Sequence, residues 1–227
     1  VNGFIEIAKS DKTIGEEMDL SHGLPFAPQK MVIKAGDYSD CKDAQVVVIT
    51  AGIAQKPGQT RLELAEVNTK IMKQITESIM KSGFDGIIIV ASNPVDLMTY
   101  VVAEVSGLPK NRVIGSGTVL DTARLRYLMA DYLKISSKNI HAYIMGEHGD
   151  SSFVPWDHAY VGCKKVKDVM KDNNHPMEDL EKIHKGVVDA AYEIIEKKKA
   201  TYYGIGMALS RLVKAVLDNE NSILTVS

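Results

Sequence analysis

In Gly146-Glu147-His148-Gly149-Asp150 a histidine stands between glycines after the apolar run Ile140 to Met145. A turn at a strand end delivers its side chains to the rim of a cleft. Imidazole, with an unperturbed pKa of about 6.5, gives and takes protons near neutrality. Taken alone, the pentapeptide fits a surface turn equally well. Asp121 and Arg124 are three residues apart where a helical stretch begins, hence on one helical face. Such a carboxylate can orient a base, and the planar guanidinium fork can hold a carboxylate ligand through two bonds. An ordinary surface ion pair would show the same spacing.

Two further segments leave strand-like runs at what would be the carboxyl edge of a sheet, where open α/β folds bind ligands. Residues Ala51 to Arg61 carry Gly52, Pro57 and Gly58 with few apolar anchors. They read as a closing lid that carries Arg61, or as a polar connector. Asn93-Pro94-Val95-Asp96 places an amide at the other edge position. That amide suits a carbonyl or carboxamide, and the same residues suit a helix cap with a cis X-Pro bond.

The elements that must hold these residues follow from periodicity. Short apolar runs at Phe4 to Ile7, Gln45 to Thr50, Gly86 to Ala91 and Arg112 to Ile114 alternate with helical or turn segments. This is the pattern of a parallel sheet covered by helices. Leu64, Val67, Ile71, Ile75 and Ile79 recur at helical spacing up to Gly83, predicting one long crossover helix. After Arg112 the pattern becomes mixed: a helix over 119–133, a strand over 140–145, helices over 181–198 and 203–217, and a last strand-like run over 222–226.

Composition narrows the function classes. A net charge of -2, 45% hydrophobic residues and 25% charged residues are ordinary for a globular protein, and no basic face points to nucleic acid. The Lys197-Lys198-Lys199 run reads as the solvated end of a helix. The longest apolar run, Ile87 to Ala91, is far shorter than a membrane span. Two cysteines, Cys41 and Cys163, make neither a metal cluster nor a disulfide framework. A soluble, cytoplasmic protein with a small-molecule partner, no metal, no nucleic acid and no membrane is expected.

In order and spacing, the segments ITAGIAQKPGQTR, ASNPVD, GSGTVLDTARLR, HAYIMGEHGD and ATYYGIG together resemble the L-lactate and malate dehydrogenase family across essentially the whole chain. The resemblance implies an α/β fold: a Rossmann-type, doubly wound parallel sheet lacking its first strand over residues 1–116, then a mixed α+β substrate domain over 117–227. The helix near 202–217 would pack back on the first domain. It implies NAD as cofactor and a relay in which His148 donates a proton to a ketone oxygen while Asp121 stabilises the imidazolium. Arg124 would clamp the substrate carboxylate and Arg61 polarise the carbonyl, with Asn93 and Thr201 completing the pocket. Glu6, Gly52, Ile53, Ala91, Asn93 and Ser116 would face the cofactor.

Gln55 occupies the position where malate-specific members usually carry arginine. A second substrate carboxylate would be desolvated there beside a neutral amide, so Gln55 favours pyruvate over oxaloacetate, with Lys56 the neighbouring cation that could blunt the preference. Arg126 and His141 match the bacterial members that fructose 1,6-bisphosphate activates, which implies a phosphate site between subunits of a homotetramer; a surface arginine and a strand histidine would look the same. A malate-specific enzyme and a non-catalytic relative are the rival expectations.

The sequence also departs from the family. No G-x-G-x-x-G turn precedes the first strand, and Gly115-Ser116-Gly117 belongs to the turn before the Asp121 helix. A fragment lacking both ends is expected, weak in NADH binding and slow in turnover by itself. The ribose-binding acid falls on Glu6 only with a one-residue shift; an ungapped alignment places Ile7 there.

Overall fold

The computed structural model describes residues 3–7, 11–53 and 61–227, with side chains over 11–53 and 63–227. Among these residues the first half carries five parallel strands: β1 (Gly3–Ile7), β2 (Val32–Gly36), β3 (Val46–Ile49), β4 (Ile87–Val90) and β5 (Val113–Gly115). They form two ladders, β1 with β2, and β3, β4 and β5 in that order. A sheet of the doubly wound order would carry a further strand between β1 and β3.

Helices α1 (Asp11–His22), α2 (Arg61–Lys81) and α3 (Val95–Ser106) cross between strands, and α2 packs against α3. A strand covered on both faces has no polar side, which is why β4 reads Ile-Ile-Ile-Val without alternation. Ile88, Ile89 and Val90 are fully buried, and Met72 and Ile79 of α2 meet Met98 and Val102 of α3 in the same core. Gly83, at a left-handed φ of 88°, ends α2 as its position predicted.

The second half is built on α4 (Val119–Leu133), with a small antiparallel sheet of β6 (Ile140–His141), β7 (Tyr160–Val161) and β8 (Lys164–Lys165). Three more helices follow: α5 (Val166–Asp172), α6 (Glu178–Lys198) and α7 (Tyr203–Leu217). Leu125 and Met129 of α4 pack with Ile140, Ile144, Met170 and Val187 in a second core. Helix α7 lies on α4, where Leu120 comes within 3.2 Å of the position a Cβ would take at Gly204.

Two expected strands differ from what forms. The run over 140–145 is a ladder only at Ile140–His141, because its next polar groups are taken by α4. Arg126 Nε donates to the Ala142 carbonyl at 3.0 Å, Thr118 Oγ1 donates to the Ile144 carbonyl at 2.6 Å, and Thr122 Oγ1 accepts the Ile144 N–H at 2.9 Å. The run over 222–226 makes no named strand, yet Gly115 and Ser227 exchange both backbone bonds, at 2.8 and 3.1 Å. The sequence pattern did not single out α1 and β2; Glu17 of α1 accepts the Ala35 N–H of β2 at 2.9 Å.

Candidate active site

His148 sits in a narrow loop closed by reciprocal Met145–Phe153 backbone bonds of 2.9 and 3.0 Å. Gly146 turns that loop at a φ of 89°, a conformation that costs glycine little. The imidazole Nδ1 lies 2.6 Å from Asp121 Oδ2, and Arg124 Nη1 donates to Asp121 Oδ1 at 3.0 Å. One carboxylate thus faces the base with one oxygen and the guanidinium with the other. Asp121 is 6% exposed, so both bonds are drier and firmer than a surface pair. His148 and Arg124 both lie within bonding reach of Asp121, and the Asp121–Arg124 pair is largely buried.

The Asp121 bond raises the His148 pKa above its ordinary value; burial and the Arg124 charge oppose this, and the charges of Asp121 and Asp96 add to it. With Nδ1 engaged by a carboxylate, Nε2 is the ring nitrogen left for a ligand.

The His148 segment is fixed by residues the sequence did not mark. Besides Thr118 and Thr122, Asp96 at the start of α3 accepts the His148 backbone N–H through Oδ2 at 3.0 Å, and its Oδ1 accepts from the Ser227 hydroxyl. An acid in a first helical turn ordinarily reads as a dipole partner, so nothing local distinguished Asp96. Thr225 adds a hydroxyl contact of 3.1 Å to Thr122.

At the carboxyl edge of the parallel strands, Ala91 N–H bonds the Ile49 carbonyl at 2.9 Å and the buried Ser116 N–H bonds the Val90 carbonyl at 2.8 Å. Asn93 is exposed beyond them, joined to Pro94 by a cis peptide bond. Gly52 and Ile53 are exposed at the end of β3, and a Cβ on Gly52 would lie 3.3 Å from the Asn68 amide. A bare backbone beside an exposed apolar side chain fits a flat ring laid across the strand ends. Among the described residues no glycine-rich phosphate turn accompanies it, and these residues suit the ring and ribose parts of a dinucleotide.

Arg61 is the first residue of α2 and Glu6 lies opposite Ala35 in the β1–β2 ladder; their side chains, and the whole of Gln55 and Lys56, lie outside the described residues. Thr201 is half-buried in the connector between α6 and α7. The Arg126 guanidinium lies 4.8 Å over the Tyr143 ring, and His141 is exposed one residue before the Ala142 carbonyl that Arg126 holds. Among the described residues no cluster could hold a metal ion, and no helix is long and apolar enough to cross a membrane.

Residues 3–115 match the NAD-binding domain of lactate/malate dehydrogenases, and residues 118–227 match the family's α/β C-terminal domain. L-lactate dehydrogenase 2 of Bacillus cereus is 58% identical over 95% of this chain and 69% of its own length. A lactate dehydrogenase from a Medee basin deep-sea metagenome library superposes with a TM-score of 0.96 at 57% identity, over 100% of this chain and 73% of that one. The ligands-bound minor L-lactate dehydrogenase of Enterococcus mundtii gives 0.95 at 46% identity over the same shares. With its Rossmann-type first half and NAD as cofactor, the chain belongs to the lactate/malate dehydrogenase family.

Proposed function

We propose that the protein is an NAD-dependent enzyme interconverting pyruvate and L-lactate, with His148 as the proton donor and acceptor. The observation that carries this reading is the Asp121 carboxylate divided between the His148 imidazole and the Arg124 guanidinium. NADH, when bound, supplies the hydride. Arg124, with one of its donors spent on Asp121, keeps others for the pyruvate carboxylate and so fixes the ketone relative to His148. As the carbonyl carbon is reduced, its π electron pair passes to oxygen, which takes the proton from Nε2. The imidazolium becomes neutral and Asp121 continues to hold Nδ1–H. L-lactate oxidation is the reverse, with neutral His148 as the base.

In the same reading, residues 1–116 carry the cofactor through Gly52, Ile53, Ala91, Asn93, Ser116 and Glu6, and 117–227 carry the proton chemistry. Gln55 selects pyruvate, Arg61 polarises its carbonyl, and Asn93 and Thr201 line the pocket. Arg126 and His141 hold a phosphate of fructose 1,6-bisphosphate in a cytoplasmic homotetramer. Initial rates of NADH oxidation with pyruvate and with oxaloacetate, each with and without fructose 1,6-bisphosphate, test these points. A higher kcat/KM for pyruvate is expected. Preference for oxaloacetate would make the enzyme a malate dehydrogenase, and an effector with no influence would remove only the Arg126 and His141 assignment.

A further inference from the structure

The last regular bond between β3 and β4 runs from Ala91 N–H to the Ile49 carbonyl. Beyond it, in the reading proposed above, Gly52 and Ile53 face the cofactor and Asn93 faces both cofactor and substrate. Their backbone groups there have no ladder to continue, and side chains take over. Ser92 Oγ donates to the Ala51 carbonyl. Asn68, on α2 and 1% exposed, accepts the Ile53 N–H through Oδ1 at 2.9 Å and donates from Nδ2 to the Asn93 carbonyl at 2.8 Å. A longer Nδ2 contact of 3.4 Å reaches the Ile53 carbonyl. The amide orientation is set by its partners, one donor against Oδ1 and two acceptors against Nδ2. Gly52 completes the fit, because a Cβ there would lie 3.3 Å from both terminal atoms of the amide.

We propose that Asn68 is a positioning residue that sets the spacing between Gly52–Ile53 and Asn93, and with it the approach of the hydride donor to the substrate carbon. This rests on the reaction proposed above. Asn68 touches neither reactant: it holds the two backbone segments that do, at one fixed separation. It also lies seven residues, about two turns, beyond Arg61 on the same helix, so it ties the start of α2 to the same frame. Hydride transfer depends steeply on donor–acceptor placement; a misplacement of about 1 Å can cost on the order of a hundredfold in rate.

Asn68→Asp keeps the shape and places an oxygen without a proton against two carbonyls, which should drive Asn93 and Ile53 apart. Asn68→Ser is too short to bridge them. The measurements are amide hydrogen exchange at Ile53, NADH affinity by fluorescence titration, and kcat, the pyruvate KM and the isotope effect with deuterated NADH, all on the purified enzyme. In Asn68→Asp, kcat should fall about 10- to 100-fold, with a larger isotope effect, weaker NADH binding and faster Ile53 exchange. A role in folding alone would lower the melting temperature and leave kcat per folded site and the isotope effect unchanged. Folded Asn68→Asp with kcat within about twofold of the parent and an unchanged isotope effect overturns the proposal. If that variant does not fold, the same result in Asn68→Ser overturns it. An Ile53 amide exchanging at the unprotected rate in the parent overturns it without any variant. A parent that fails to reduce pyruvate refutes the reaction instead, and the exchange result then stands by itself.

Discussion

Replacing Asp121 with asparagine removes the carboxylate that raises the His148 pKa while preserving shape. The bond being lost is 2.6 Å long, between a carboxylate 9% exposed and an imidazole 27% exposed. A hydrogen bond to a charged group in such surroundings is worth about 1.5–3 kcal/mol. Its loss lowers the His148 pKa towards the ordinary value. In the proposed relay protonated His148 is the donor, so pyruvate reduction holds below its pKa and fades as pH rises through it. In Asp121→Asn the fade moves to lower pH, and loss of a bond of that strength lowers the reduction rate above the parent's pKa about 10- to 100-fold. Lactate oxidation needs neutral His148, so its acid limb moves down in parallel. The stability consequence has the matching sign. The folded pKa of His148 is raised, so the stabilisation is complete below the unfolded pKa of about 6.5 and is lost as pH rises through the folded value. The melting advantage of the parent over the variant is therefore largest in mild acid. The assay is kcat/KM against pH in both directions, and an unshifted profile with normal folding would refute the reasoning.

Other substitutions probe neighbouring parts of the site. Arg124→Lys keeps the charge and loses the fork, so kcat/KM for pyruvate should fall about 10- to 100-fold, equivalent to roughly 1.5–3 kcal/mol, with NADH affinity unchanged by titration. Thr122→Val strands the Ile144 N–H in the interior; denaturant titration should show a loss of about 1–3 kcal/mol. Gly117→Ala places a Cβ 2.8 Å from the backbone of residues 225–227 at a φ of 48°. It should lower stability by about 1–3 kcal/mol in denaturant and, by displacing Ser227 from Asp96, also reduce kcat.

What the sequence disclosed and what it hid divide along one physical line. Helices α2, α4 and α7 were legible because each keeps an apolar stripe over several turns and ends near a glycine or a polar cluster. Asp121 and Arg124 were legible because three residues on a helix mean one face. His148 was legible as a candidate from its glycine-flanked turn, although its bond to Asp121 spans 27 residues and was implied only by the joint motif pattern. Asp96, Asn68, Thr118 and Thr122 act through backbone groups far along the chain, so their local sequence looks like ordinary helix composition. The shortening of the 140–145 strand has the same origin: side chains of α4 satisfy Ala142 and Ile144, a pairing no periodicity can show. Helix α1 escaped notice because Gly15 and its many charges blur the stripe, and β2 because Val32–Gly36 is interrupted by Lys34.

Whether His148 transfers the proton is decided by His148→Gln, with NADH binding and pyruvate turnover measured on the same preparation. NADH affinity should stay near that of the parent while kcat for pyruvate reduction falls by about 10²- to 10⁴-fold. Turnover within about tenfold of the parent, with NADH bound equally well, would mean that another group supplies the proton.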